Sequence, residues 1–358
     1  MALFLNKVII MKKLLVILVL LLNISVAGLF AQSSQVATLN HNGNISVFYG
    51  ANALFEAYEL AVNGDVITLS SGTFAAVGIN KNITIRGVGW QFDTETMNMP
   101  TIITGDFLIY GENKTINGLT IEGIYNNNNI TLRGPIEQVS FAKCRFKRIT
   151  FENFYSDFKI NNATFLHCLI TQKIDVSNST GRFVNSIINA PEGYGSWEYI
   201  NCYVKFDDSN RLCAEDQQSI HNATFINCIM RQRSRHSLSS SNIAYNCVCP
   251  TPCDYEKYRL FHNMPNNTNS YTSCDVLFET YRSDNWEDSD LNDSDSFELT
   301  DEAKTIFLGT DKTQVGIYGG NLPYDPIPAN LHITKCNVAS KSTVDGKLSV
   351  DIEVKGME

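Results

Sequence analysis

The chain has 358 residues, of which 44% are hydrophobic, and its 28 basic and 37 acidic side chains give a formal net charge of −9 at pH 7. The hydrophobic content allows a sizeable core, whereas the overall field of an acidic chain disfavours nucleic acid and anionic membrane surfaces as partners. Acidic polysaccharides are also disfavoured as steered ligands, although a local basic patch is able to bind them.

The first 31 residues are typical of a secretory signal peptide. Lys12 and Lys13 precede nine apolar residues, and small residues then lead up to Ala31. We expect translation to start at Met11 and cleavage after Ala31, or four residues earlier, with an uncleaved anchor as the alternative. The apolar run is too short for a membrane span. The mature protein is therefore predicted to lack a span and to be exported to the periplasm, the outer surface or the medium.

Short helix and strand patterns follow the signal. Residues 52–62 have apolar side chains at helical spacing, which predicts a short amphipathic helix. Residues 71–74, Ser-Gly-Thr-Phe, predict a turn. Strands are predicted at 66–69, 81–87, 115–121 and 129–132.

A four-residue unit then recurs six times, with an aromatic residue, in five of the six, three positions before a small residue. The small residues are Cys144, Cys168, Ser186, Cys202, Cys228 and Cys247. Their intervals of 24, 18, 16, 26 and 19 residues vary while the unit stays the same. This pattern is typical of a stacked solenoid, in which each turn buries its apolar face against its neighbours.

The residue before each small position is predicted to form a corner. Positions three apart in one straight strand point to opposite faces, yet both ends of the unit are core residue types. A left-handed residue between them restores the inward direction, and Asn adopts this conformation readily, as does His to a lesser degree. The predicted corners are His167, Asn185, Asn201, Asn227 and Asn246, with Lys143 as the departure.

The element order and the repeat resemble the right-handed parallel β-helix proteins of the pectin lyase-like class, of the kind common among exported proteins of gut Bacteroidetes. The resemblance covers residues 47–320 and implies an all-β solenoid domain over residues 32–322. It also implies that the N-terminal helix caps the open end of the stack. Residues 315–320 resemble the closing coil of such proteins, where a Gly-rich turn ends the stack.

Residues 323–358 are predicted to form a C-terminal β-hairpin tail. Residues 331–339 and 347–355 alternate as two strands, and Asp345 and Gly346 between them suit a hairpin turn. The hairpin is expected to cover the C-terminal end of the stack, with a strand offered to a partner as the alternative.

Ten cysteines in an exported chain suggest disulfides, but five of them share the small position of the repeat. These five are predicted to stack as buried reduced thiols, with bridges between turns as the alternative, because neighbouring turns lie about 4.8 Å apart. A bridge is also predicted among Cys249, Cys253 and Cys274, whose spacing fits no standard zinc site.

Catalytic candidates are few. Asp207 and Asp208 are the one match to the segments that pectin hydrolases share, and a glycosidase needs two carboxylates flanking the sugar bond. The pair lacks the His and Lys partners of those enzymes, so a polar loop is the alternative. A lyase needs a base such as Lys or Arg, for which Arg233 is the candidate.

The ligand-binding candidates are a basic cluster and one tyrosine, namely Arg231, Arg233, Arg235, His236 and Tyr194. The arginines alternate after a strand that ends at Met230, so one shared face would suit an anionic sugar, and a solvated loop is the alternative. Tyr194 is predicted to lie at the surface, where its ring can stack on a sugar. Trp197 has the inward phase and is predicted to be core.

No cofactor is predicted, although an acidic segment partly matches a calcium loop. Asp288, Asp290 and Asn292 have the alternate spacing of oxygen ligands. Asp293 then stands where the loop needs Gly, and Leu299 where it needs the bidentate Glu. Calcium at these residues is therefore the alternative to a solvated acidic loop.

Two classes of function stay open. The first is an exported β-helix protein without catalysis that binds a polysaccharide or a cell-surface partner along its flank. The second is a polysaccharide lyase or glycoside hydrolase of the pectin lyase-like class. The missing hydrolase segments favour the first.

Overall fold

The computed structural model describes residues 35–92, 99–111, 114–152, 159–206, 220–231, 238–250, 259–264, 268–280, 296–328, 332–338 and 350–355. It is mostly β and forms a β-solenoid of about 8 turns, which confirms the predicted solenoid and is compatible with a parallel β-helix. The predicted signal peptide lies outside the described residues.

The strands are short and follow one another closely along the chain. In chain order they are β1 (Val36–His41), β2 (Asn44–Tyr49), β3 (Val66–Leu69), β4 (Gly72–Ala75), β5 (Thr84–Arg86), β6 (Thr101–Thr104), β7 (Phe107–Tyr110), β8 (Ile116–Glu122), β9 (Tyr125–Arg133), β10 (Ile136–Ala142), β11 (Arg145–Glu152), β12 (Ile160–Leu166), β13 (Leu169–Asp175), β14 (Ser179–Val184), β15 (Ile187–Asn189), β16 (Pro191–Ile200), β17 (Tyr203–Lys205), β18 (Ile220–Ile226), β19 (Ile229–Arg231), β20 (Ile243–Tyr245), β21 (Val248–Cys249), β22 (Ser270–Tyr271), β23 (His332–Val338) and β24 (Val350–Lys355). The helices are α1 (Ala53–Leu60), α2 (Cys274–Leu277) and α3 (Asp301–Ile306).

Two sheets with parallel pairing wind together around the core. Sheet A contains β3, β5, β8, β10, β12, β14, β16, β18 and β20. Sheet B contains β4, β6, β7, β9, β11, β13, β15, β17, β19, β21 and β22. Each turn contributes strands to both sheets. The parallel pairing then places equivalent residues of successive turns side by side. The β1–β2 hairpin joins sheet A through an antiparallel pairing of β1 with β3.

The corners between the two sheets are left-handed, as the repeat predicts. The φ angles are 54° at Lys143, 53° at His167, 42° at Asn185, 50° at Asn201, 56° at Asn227 and 49° at Asn246. Lys143, whose residue type does not favour a positive φ, adopts the same conformation. Its neighbours in the stack therefore impose the bend there.

The repeated aromatic side chains form a buried ladder inside the solenoid. Phe141, Phe165, Phe183, Tyr199 and Phe225 are each 0% exposed. Successive ring centroids lie 4.8, 4.7, 5.1 and 4.7 Å apart, and the rings are close to parallel. Trp197 is buried beside them, as predicted, and its Nε1 donates to Ser179 Oγ at 3.0 Å. The aromatic residues of the repeat are therefore the core of the fold.

The structure confirms the predicted helix near the beginning of the chain, corrects the turn predicted after it, and adds the unpredicted strands β1, β2, β6 and β7. The helix is confirmed as α1, which buries Ala53, Leu54, Ala57 and Tyr58, while its role as an end cap stays a prediction. The predicted turn at 71–74 is wrong, because β4 begins at Gly72 and pairs in parallel with β6. The chain bends at Ser71, Gly72 has φ 125°, and the residues that follow form a strand that buries Phe74.

Residues 307–328, which we call the strap, run back along the line of corners. Asn246 Nδ2 donates to Leu308 O at 3.1 Å, and Asn227 Oδ1 accepts from Thr310 N at 2.8 Å. Further along, Asn185 Nδ2 donates to Ile317 O and Gly319 O, and Lys143 Nζ donates to Asp325 Oδ2 and Ile327 O. Strap residues of rising number thus meet corners of falling number.

The strap corrects the prediction for residues 315–320. This Gly-rich segment does not end the stack, because it lies beside the Asn185 corner in the middle of the repeat. Its glycines permit close approach: a Cβ on Gly320, whose φ is 75°, would lie 2.2 Å from Asn201 Nδ2. An outer hydrophobic cluster fixes the same segment, with Val315 and Ile317 packing beside the first outward residues of sheet B strands, such as Ile187 and Ile229.

The C-terminal hairpin is confirmed in its pairing, since β23 and β24 are antiparallel. Asp345 and Gly346 lie outside the described residues, and the position of the hairpin relative to the stack stays a prediction.

The thiol ladder is confirmed, because the five repeat cysteines are free and each is 0% exposed. Burial raises the pKa of the Cys144, Cys202 and Cys247 thiols well above its usual value. No disulfide joins Cys249 to Cys274. Cys253 lies outside the described part of the chain, so a bridge to it stays a prediction.

We expect the repeat cysteines to resist iodoacetamide in the folded protein and to react fully in denaturant, because the reagent must reach the sulfur atom and all five side chains are 0% exposed in the folded chain. Peptide mapping by mass spectrometry after each treatment measures this. Alkylation of Cys168 or Cys228 in the folded protein, or disulfide-linked peptides between two turns, would contradict the buried ladder.

Candidate ligand-binding face on sheet A

Most of the site residues predicted from the sequence lie outside the described residues. They are Asp207, Asp208, Arg233, Arg235, His236, Asp288, Asp290 and Asn292. Their assigned roles stay predictions. The structure describes the other two candidates, Arg231 and Tyr194.

Arg231 lies at the end of β19 and is only 8% exposed. It stands beside Lys205 of the preceding turn, which is 2% exposed, and Lys205 stands beside Asn189. These three residues form a column of buried polar side chains on sheet B. Little of the Arg231 side chain is therefore accessible to a ligand, and its predicted role depends on rearrangement of its surroundings.

Tyr194 is at the surface, as predicted, with 52% of its side chain exposed. Two glycines hold the backbone here against the preceding turn. A Cβ on Gly193 would lie 2.4 Å from Ser177 Oγ, and a Cβ on Gly195 would lie 2.4 Å from Val176 O. The glycines thus let β16 cross from sheet B to sheet A tightly, while the tyrosine between them points outward.

The ring of Tyr194 lies flat on the imidazole of His221 in the next turn. The two centroids are 4.2 Å apart and the planes differ by 4°. His221 Nδ1 lies 3.3 Å from Ser241 Oγ, which belongs to the turn after that. Three successive turns therefore contribute one aromatic platform with a hydroxyl at its end.

Polar side chains also occupy the outer face of sheet A further along its strands. Arg182 and Glu198 are exposed and stand opposite each other on β14 and β16. Hydroxyl groups occupy the same outward column in other turns, at Thr84, Thr120, Ser140, Thr164 and Thr224. We call this surface, from Thr164 to Ser241 and including Tyr194 and His221, the Tyr194 face.

The Tyr194 face combines the groups that bind sugars. A flat exposed ring offers an apolar surface to the C–H face of a pyranose, and guanidinium, carboxylate and hydroxyl groups match its ring hydroxyls. The sequence analysis found Tyr194 but missed the rest. The signal was present, because the residue before each repeated aromatic points outward and is Ser or Thr in three of the six units.

Sheet B has a smaller cluster of charged side chains. Asp175 and Glu192 stand side by side in register, and Lys173 Nζ lies 2.5 Å from Glu192 Oε1. Asp175 Oδ1 accepts from Ser177 N at 3.0 Å. Both carboxylates thus have partners from their own part of the solenoid, which is typical of a structural role.

Within the described residues, no group of three or more His, Cys, Asp or Glu side chains is placed to hold a metal ion. None of the helices α1, α2 and α3 is long and apolar enough to cross a bilayer. Comparison with known proteins found no matching family model, no matching curated protein and no matching solved structure. Functional inference therefore rests on the residues of this chain and their arrangement.

Proposed function

We propose that this chain is an exported, right-handed parallel β-helix protein of the pectin lyase-like kind that binds a glycan along its flank without catalysis. The observation that carries the proposal is the Tyr194–His221 platform, which leaves about half of the Tyr194 side chain in solvent on the same face of sheet A as the exposed Arg182 and Glu198. An exposed aromatic surface rimmed by polar groups is typical of an interaction site.

The secretory character of the first 31 residues supports the proposal independently, because extracellular glycans are reached only by exported proteins. A solenoid also suits an extended ligand. Its turns repeat every 4.8 Å or so along one face, and a polymer lying across them meets equivalent side chains at regular intervals.

We expect Tyr194→Ala to weaken glycan binding by about tenfold or more, because a buried aromatic anchor contributes over 1 kcal/mol to an interface. The chain is screened against a panel of neutral and uronate oligosaccharides, and the affinity of each hit is measured by titration calorimetry. Tyr245→Ala is the matched control, since Tyr245 is an exposed tyrosine of the same sheet, 46% exposed, on a strand one turn beyond His221. Equal loss in both variants, or none in Tyr194→Ala, would contradict the proposal.

The alternative function is that of a polysaccharide lyase or glycoside hydrolase. The pair Asp175 and Glu192 beside Lys173 is the observation in its favour, because these enzymes need carboxylates or a basic residue at the sugar bond. Release of unsaturated or reducing ends from the same panel tests it. Product that disappears in Glu192→Gln or Arg233→Ala would establish the enzyme and overturn the proposal.

A further inference from the structure

The N-terminal end of sheet A is an antiparallel hairpin with a tight turn. Asn42 and Gly43 form the two-residue loop between β1 and β2, and both have positive φ, 51° and 88°. Such a loop matches the twist of paired strands and fixes their register. His41 and Asn44, which flank the loop, therefore exchange backbone hydrogen bonds.

The register decides which backbone groups of β2 point away from β1. In an antiparallel pair, hydrogen-bonded and non-hydrogen-bonded residue pairs alternate along the strands. Starting from His41 and Asn44, the bonded residues of β2 are Asn44, Ser46 and Phe48. The N–H and C=O groups of Ile45, Val47 and Tyr49 consequently point to the outer edge. Among the described residues, β2 pairs with β1 alone.

The same three residues present apolar side chains to solvent. Ile45 is 67%, Val47 45% and Tyr49 54% exposed, while Phe48 on the opposite side packs against the core. Edge strands are normally protected by a charge, a proline or a bulge. The β2 sequence, NISVFY, has no charge and no proline, and its pairing with β1 is regular. It has the properties of a strand that pairs with another strand.

We propose that β2 pairs with β2 of a second copy of this chain, in antiparallel orientation about a two-fold axis at Val47. The axis places Val47 opposite Val47 of the partner and Ile45 opposite Tyr49 of the partner, in both directions. All outward N–H and C=O groups of the strand then find partners. Aromatic and β-branched cross-strand pairs form on the exposed side.

A second copy fits this edge better than an unrelated partner does. Strand β2 is self-complementary in this register, as an isologous interface requires. Copies of a chain with net charge −9 repel each other wherever charged surfaces meet. Residues 35–53 contain no Lys, Arg, Asp or Glu, so the proposed contact is made by an uncharged segment.

Sedimentation equilibrium of the full chain tests the pairing. The parent is expected to have twice the mass of one chain, and Val47→Lys to raise the dimer dissociation constant by about tenfold or more, because two like charges then face each other across the axis. Val276→Lys is the matched control: Val276 is 46% exposed and lies on α2, so this variant should dimerise as the parent does. Far-UV circular dichroism checks that both variants are folded.

A cross-link tests the register itself. In the proposed dimer the two Cα atoms of residue 47 lie about 5.5 Å apart, so Val47→Cys treated with a short bis-maleimide should give a covalent dimer, whereas Val276→Cys should not. A monomeric parent, a dimer unaffected by Val47→Lys, or equal cross-linking of both cysteine variants would overturn the proposal.

Discussion

Replacing Phe183 with Ala is expected to lower the free energy of unfolding by about 3–5 kcal/mol, the usual cost of deleting a buried phenyl ring. Phe183 is 0% exposed and stacks on Phe165 at 4.7 Å and on Tyr199 at 5.1 Å. Trp197 lies 4.9 Å from the same ring. The cavity therefore interrupts the aromatic ladder in the middle of the stack, where the backbone of neighbouring turns cannot close around it.

Chemical denaturation followed by intrinsic fluorescence and circular dichroism measures this loss. The control is Phe92→Ala, since Phe92 is 50% exposed and an exposed substitution usually changes stability by less than about 0.5 kcal/mol. Similar losses in the two variants would show that the repeated aromatic residues do not hold the core.

Replacing Asn185 should separate the two roles of a corner residue, which are to adopt a positive φ and to donate hydrogen bonds to the strap. Asn185 has φ 42° and is 1% exposed, and its amide donates to Ile317 O at 2.7 Å and to Gly319 O at 2.8 Å. Asn185→Gly keeps the backbone conformation but leaves both strap carbonyls unpaired, at about 1–3 kcal/mol each. Asn185→Ala adds the cost of a left-handed alanine, so we expect it to be about 1 kcal/mol less stable still.

Asn162, a left-handed residue inside β12, provides the matched control, because it has φ 52° and an exposed side chain. Asn162→Gly should change the free energy of unfolding little. Asn162→Ala should lower it only by the cost of placing an alanine in the left-handed conformation. If Asn185→Gly were as stable as the parent by denaturant midpoint, the strap would not contribute to stability through this corner.

The corners and the core were predictable from the sequence because their causes are local. Asn tolerates positive φ on its own, and the offset between Phe225 and Cys228 requires a bend wherever both are buried. Lys143 shows the limit of this argument, since its left-handed φ of 54° comes from the stack and not from the residue type.

The strap was not predictable, because its contacts join residues that are distant in the sequence. Asn185 and Ile317 are 132 positions apart, and the acceptors are backbone carbonyl groups, which every residue type carries. The Gly-rich sequence at 315–320 indicated a bend correctly but not where the bend lies. Its close approach to the corners is visible only in three dimensions.

The candidate site was predictable in part. The surface position of Tyr194 was predicted, whereas its stacking on His221 depends on the register between β16 and β18. The repeat aligns Tyr199 with Phe225, but Tyr194 meets His221 only because the register shifts by one residue between Tyr194 and Trp197, and residue type contains no signal for that shift.

The binding role of the Tyr194 face is tested most directly by a crystal structure of the chain soaked with the tightest-binding oligosaccharide of the panel. The account predicts a sugar ring flat against Tyr194, at van der Waals distance of about 4 Å, with further units of the oligosaccharide along the same face towards Glu198 and Arg182. A saccharide bound elsewhere on the solenoid, with the Tyr194 ring bare, would contradict it.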